Sequence, residues 1–164
     1  MRADGSSKFP RNNRWGYFPS GAFAYRLSDE PFMKNLPFIT DAKVRIGYGA
    51  TGNNRVGDFS YLSSMNFVNN NYSFGDATPS VGAIANALGN GDLKWETTRQ
   101  TNLGVDLSFF DNRISLTADV YSKKTSDLLL KASMPITTGY TTAFKNIGRV
   151  SNKGLELTLN TVNI

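Results

Sequence analysis

Three carboxylates, Asp106, Asp119 and Glu156, are the side chains with the clearest chemical potential. Each occupies a polar position in an alternating stretch, so all three fall on one face of a sheet. Paired carboxylates of this kind serve general acid–base chemistry. Here they come from three different stretches, and the chain has no cysteine and no histidine to act as nucleophile, base or zinc ligand. The residues therefore read as a solvated polar wall, not an enzyme's site, with no cofactor and no metal. A second group is aromatic. Phe59, Tyr61, Phe67, Tyr72 and Phe74 dot a stretch rich in Asn, Ser and Gly, and Trp95-Glu96 follows it. Rings on a loop can stack on sugar faces, or pack on each other or on a covering protein. Tyr61, Tyr72, Phe74 and Trp95 are the candidate ligand contacts. The competing reading of Trp95 is an interface aromatic at the top of a strand. Gly47, Gly49 and Gly52 are no phosphate loop, since no Gly-Lys-Ser/Thr follows.

The elements that position these residues are strands. In Thr101–Phe110, Leu103, Val105, Leu107 and Phe109 alternate with Asn102, Gly104, Asp106 and Ser108. In Arg113–Tyr121, Ile114, Leu116, Ala118 and Val120 alternate with Ser115, Thr117 and Asp119. Asp111-Asn112 between them predicts a tight hairpin, because Asp and Asn tolerate positive φ. A two-residue turn there pairs Phe109 with Ile114, Leu107 with Leu116, Val105 with Ala118 and Leu103 with Val120. Asp106 then meets Thr117 on the opposite face, and a slip of one residue would scramble both faces.

Along the chain, residues 1–15 read as a strand end and a loop. Gly16–Leu27 reads as a strand disturbed by Pro19. Ser28-Asp29-Glu30-Pro31 opens either a short helix through Phe32, Met33 and Leu36 or an irregular connector. Asp41–Gly52 is a strand, and 53–97 is a long loop in which Val56–Phe67 extends the strand or forms a hairpin. Arg113–Leu130 is one upward strand, 131–145 a second long loop, and Asn146–Ile164 a last strand. Asn152 and Gly154 mark a turn or a bulge within it. A turn there would leave a segment too short to cross a bilayer, which favours one long strand with a local irregularity.

Composition narrows the class. The net charge is +5, with basic residues scattered, so nothing resembles a nucleic-acid-binding stripe. No apolar run approaches the roughly 18 residues of a membrane helix, but a membrane β-strand needs only about 9–11 alternating residues. Connections alternate long, tight and long, as in outer-membrane barrels. The polar face carries Asn, Ser, Thr, Gly and Asp, where a water-facing soluble sheet would carry Lys and Glu. Phe109 and Phe110 then fall at the periplasmic girdle. Met1–Ser7 lacks the apolar core of a signal peptide, so the chain is expected to be either cytosolic or an internal piece of a longer protein.

Five stretches carry a resemblance. They are Asp4–Phe9 with Phe18-Pro19-Ser20, Lys43–Asn53, Leu93–Thr98 with Asn102–Asp106, Tyr121–Leu129, and Asn146–Glu156. In this order they resemble the barrel of SusC/RagA-like TonB-dependent outer-membrane transporters. The resemblance implies an all-β, antiparallel up-and-down transmembrane β-barrel segment, about five long strands of a barrel of about 22 with a plugged lumen. It implies that residues 1–164 are part of the barrel domain, with plug domain, TonB box and signal peptide absent. It implies import of glycan oligomers, peptides or other nutrients across the Gram-negative outer membrane. The implied partners are a SusD-like surface lipoprotein, the TonB complex, outer-membrane lipid and an oligosaccharide or peptide substrate, with no nucleic acid. Two alternatives stay open: a soluble β-sandwich that binds carbohydrate through aromatic loops, and a TonB-dependent receptor for siderophores or another small ligand.

Overall fold

The computed structural model describes residues 1–67, 71–73, 79–140 and 142–163. Its strands, in chain order, are β1 (Arg2–Gly5), β2 (Trp15–Phe18), β3 (Ser20–Arg26), β4 (Ile39–Asn53), β5 (Ser64–Asn66), β6 (Asn71–Tyr72), β7 (Ser80–Val81) and β8 (Ile84–Ala87). They continue with β9 (Glu96–Phe109), β10 (Ile114–Ser126), β11 (Leu129–Ser133), β12 (Thr142–Asn146) and β13 (Arg149–Thr161). The framework is one antiparallel sheet in the order β13-β10-β9-β4-β3. Among the described residues there is no α-helix, only 3-10 turns. Strands adjacent in the sheet are also consecutive long strands of the chain, as in an up-and-down meander.

The β9–β10 hairpin has the register derived from alternation: Phe109 faces Ile114, Leu103 faces Val120, and Asp106 faces Thr117. Its turn closes with the Arg113 N–H donating to the Phe110 carbonyl at 3.1 Å. Asp111 and Asn112 both have positive φ, as a type I′ turn requires. Phe110 shares that conformation (φ 53°), which its residue type did not announce. A bulge at Thr40 lets the turn dock on β4, where the Asp111 N–H donates to Thr40 Oγ1 at 2.9 Å.

Several expected elements take another form. Pro19 splits Gly16–Leu27 into β2 and β3, because it lacks the N–H that would continue the ladder. The connector 27–38 holds 3-10 turns at Leu27–Asp29 and Met33–Asn35 in place of a helix. Ser28 does not cap there; its hydroxyl donates to Asp41. Arg113–Leu130 is not one strand. Asp127 takes positive φ (58°), and Leu129–Ser133 turns away to pair with β12. The last strand is indeed single, but regular at Asn152 and Gly154, which face Lys123 and Tyr121 in unbroken register. The Tyr121 ring covers Gly154, whose absent side chain leaves that room. The break sits instead at Gly148, with φ 91°. The loop 53–97 contains two small antiparallel pairs, β5 with β8 and β6 with β7.

The sheet has two unlike faces. On one, Phe23, Ile46, Leu103, Val120 and Leu155 form a row across all five strands. These side chains are between 47% and 65% exposed, and among the described residues no layer covers them. Tyr25–Val44–Val105–Ala118–Leu157 and Ala42–Leu107–Leu116–Leu159 form the next rows toward the tight turn. None of these rows contains a charged residue. The buried core is elsewhere, at the loop end, where Phe9, Val56 and Leu93 pack together and Tyr61, Trp95, Leu129 and Phe144 lean on them. Phe9 and Leu93 are fully enclosed. The β1–β2 hairpin, the 54–62 segment, the 88–95 segment and the β11–β12 hairpin thus converge into a small cap.

Candidate functional site: the polar face of the sheet

The second face places Ala24, Arg45, Gly104, Asp119 and Glu156 side by side on five strands. Arg45 projects from β4 and bridges two carboxylates. Its Nε donates to Asp106 at 2.7 Å, and Nη2 donates to Asp106 at 3.1 Å and to Asp119 at 3.0 and 3.2 Å. Thr117 Oγ1 donates to Asp106 at 3.1 Å. The three charged side chains are about one-third exposed, so solvent screens the pairs in part. Two of the three candidate carboxylates are therefore locked to one guanidinium, and what they do here is fix three strands in register.

Gly104 makes the bridge possible. It lies directly between Arg45 and Asp119 in the row, and a Cβ there would sit 2.3 Å from Asp119 Oδ1 and 2.7 Å from Arg45 Nη2. The guanidinium crosses β9 only because that strand carries no side chain at this point. Gly104→Ala is expected to push the bridge apart at a cost of about 1 kcal/mol, the scale of a partly exposed ion pair. The cost should vanish in an Arg45→Gln background, which a double-mutant cycle in denaturant unfolding of the full-length protein measures. An equal cost in both backgrounds would mean that Gly104 serves the backbone alone.

Toward the loop end the same face opens into a shallow depression of about 510 Å³. Its floor is bare: nothing lies within 4 Å of a Cβ at Gly47 or Gly49. Gln100, Asn102 and Lys123 line it, and Gln100 Nε2 donates to Asn102 Oδ1 at 2.9 Å. The depression therefore offers amide groups, one cation and smooth backbone, which suits a hydrated polar solute or chain sliding past.

The aromatic candidates are not brought together. Trp95 is half-buried in the cap, 5.3 Å from the Phe9 ring and edge-on to Phe18 at 5.6 Å. Its Nε1–H donates to the Arg14 carbonyl at 3.1 Å. Glu96 accepts from Asn53 Nδ2 and from the Leu129 N–H, tying β9 to the ends of β4 and β11. Tyr61 leans on the same cap. Tyr72 is 52% exposed on β6. Phe74 lies outside the described residues. Sequence reasoning missed Arg45 as the partner of both aspartates. Arg45 stands between Val44 and Ile46, which puts it on the polar face of a strand, but its pairing depends on a β4–β9 register between residues 61 apart in the chain.

The family model described as "TonB dependent receptor-like, beta-barrel" matches residues 1–162. TonB-dependent receptor SusC of Bacteroides thetaiotaomicron is 41% identical over 165 residues, covering 98% of this chain and 16% of that protein. A TonB-dependent receptor of Formosa agariphila is 40% identical over 163 residues, covering 99% of this chain and 16% of that protein. The structure of the RagAB peptide importer in its closed-closed state superposes with a TM-score of 0.80 at 32% identity, over 96% of this chain and 17% of that one. The chain thus spans 16% of the length of these curated relatives.

Proposed function

Because the chain belongs to the TonB-dependent receptor-like β-barrel family, we propose that it forms five wall strands and the outer loops of an outer-membrane transporter. It is part of the barrel domain, with the plug and the TonB-coupling segment supplied outside residues 1–164. The protein imports glycan oligomers or peptides and catalyses no reaction. A SusD-like lipoprotein covers the loop end, and the TonB complex drives the passage of substrate. The relatives support this reading: one is a SusC receptor, and the structural neighbour is named a peptide importer.

The observation that carries the reading is the uncharged row Phe23–Ile46–Leu103–Val120–Leu155, exposed on five neighbouring strands. An apolar face this wide needs a covering medium. From Phe109 to Leu103 the uncharged rows run about 20 Å along a strand. At a tilt of about 40° this is roughly 15 Å of height, the greater part of the apolar band of about 25 Å on barrels. The polar face with its bare depression then lines the lumen, and the apolar face meets lipid. Tyr61 and Tyr72, on the outer loop, Trp95 at its base, and Phe74 are the candidate substrate contacts.

Deleting the gene in its native host tests this. Growth on at least one oligosaccharide or peptide source should be lost, and deleting TonB should reproduce the loss. Recovery of the full-length protein in the soluble fraction would contradict the reading.

A further inference from the structure

Above the apolar band, toward the loop end, the same outward face changes character. The next rows are Tyr48–Thr101–Ser122–Lys153, Ala50–Arg99–Lys124–Ser151 and Gly52–Thr97–Ser126–Arg149. Their only charged residues are Arg99, Lys124, Arg149 and Lys153, and all four are exposed. Among the described residues none of the four is in an ion pair. Arg99 and Lys124 are direct cross-strand partners. Like charges placed opposite each other destabilise a sheet unless an anion lies between them. Exposed Trp15 and Tyr17 share a depression of about 260 Å³ with Arg99. Among the described residues the one carboxylate lining it, Asp127, is held by Lys94 at 3.1 Å.

We infer that Arg99, Lys124, Arg149 and Lys153 form a docking surface for the phosphate-bearing head group of a lipid in the leaflet at the loop end. The inference rests on the barrel reading, which makes this face the lipid-facing one. Position argues for a lipid over a soluble anion. The cations begin where the uncharged rows stop, so a head group reaches them while its chains lie on Phe23, Ile46, Leu103, Val120 and Leu155. Each cation near an anionic membrane surface strengthens attraction, and four together make a specific anchor. Trp15 and Tyr17 supply the amphipathic rings that sit at head-group level. Lys123 is the internal control, since it neighbours Lys124 in sequence but lines the opposite face.

The test uses the full-length receptor in phosphatidylcholine nanodiscs doped with lipid A or with its dephosphorylated form. Native mass spectrometry reads the lipid that stays bound, and a heat-modifiable gel shift confirms that each variant is folded. The wild type should retain the phosphorylated lipid preferentially. R99Q/K124Q should retain on the order of tenfold less, the variant that also carries R149Q and K153Q less still, and K123Q as much as the wild type. Equal retention of both lipid forms, or no change in the folded R99Q/K124Q receptor, would overturn the inference. So would inorganic phosphate binding to the detergent-solubilised receptor through the same four residues, because that marks a soluble-anion site. Failure of the wild type to insert into nanodiscs would instead overturn the barrel reading itself.

Discussion

Val105→Lys is expected to destabilise the lipid-embedded protein by about 2–4 kcal/mol, the cost of a cation near the bilayer midplane on a barrel's outer wall. Val105 stands on the central strand in a row with Tyr25, Val44, Ala118 and Leu157. Lysine here cannot snorkel easily, since the uncharged rows of Leu103 and Leu107 flank it on both sides. Asn102→Lys, three residues away on the polar face, should change stability by less than about 0.5 kcal/mol. The cost should fall toward the interface, so that Phe109→Lys beside the tight turn costs about 0–1 kcal/mol. Guanidinium unfolding of the full-length receptor in phosphatidylcholine vesicles measures all three. Equal penalties at 102 and 105 would remove the distinction between the faces.

Phe9→Ala is expected to cost about 3–5 kcal/mol, the usual range for a fully buried phenylalanine. The loss should be local. Phe9 packs with Val56 and Leu93 and against Trp95, all in the cap, and touches none of the apolar rows. The segments it holds together come from four parts of the chain, so losing it frees the β1–β2 hairpin, the 54–62 and 88–95 segments and the β11–β12 hairpin. Hydrogen exchange on the full-length receptor should speed up across these segments and stay slow in β9 and β10, whose ladders run unbroken. Uniform acceleration throughout would show instead that cap and wall unfold as one unit. If the loop end receives substrate and a lid protein, the variant should also lose binding while the barrel still assembles.

The wall was legible in the sequence where partners are close and the period is strict. The β9–β10 register followed from two alternating runs around Asp111-Asn112, because any other register would mix the faces. The single strand β13 followed from membrane thickness. The cap was not legible, because its contacts join Phe9, Val56 and Leu93 across loops without periodicity. The break at Asp127 was hidden for a different reason. Leu128-Leu129-Leu130 continues the apolar character of β10, and only a positive φ at an aspartate diverts the chain. Of the polar face, alternation showed which residues share it, including Asp106, Asp119 and Glu156. Only the three-dimensional register showed that Gly104 opens a passage for Arg45 to reach two of them.

Nitroxide labels placed one at a time from position 101 to 107 of the full-length receptor in lipid vesicles test the central claim most directly. Accessibility to oxygen, which concentrates in lipid, should peak at 103, 105 and 107. Accessibility to a water-soluble nickel chelate should peak at 102, 104 and 106. A period of two with opposite phases for the two probes places one face of β9 in lipid and the other in water. Labels at 103, 105 and 107 closed to both probes would instead mean a dry protein core and contradict the membrane wall.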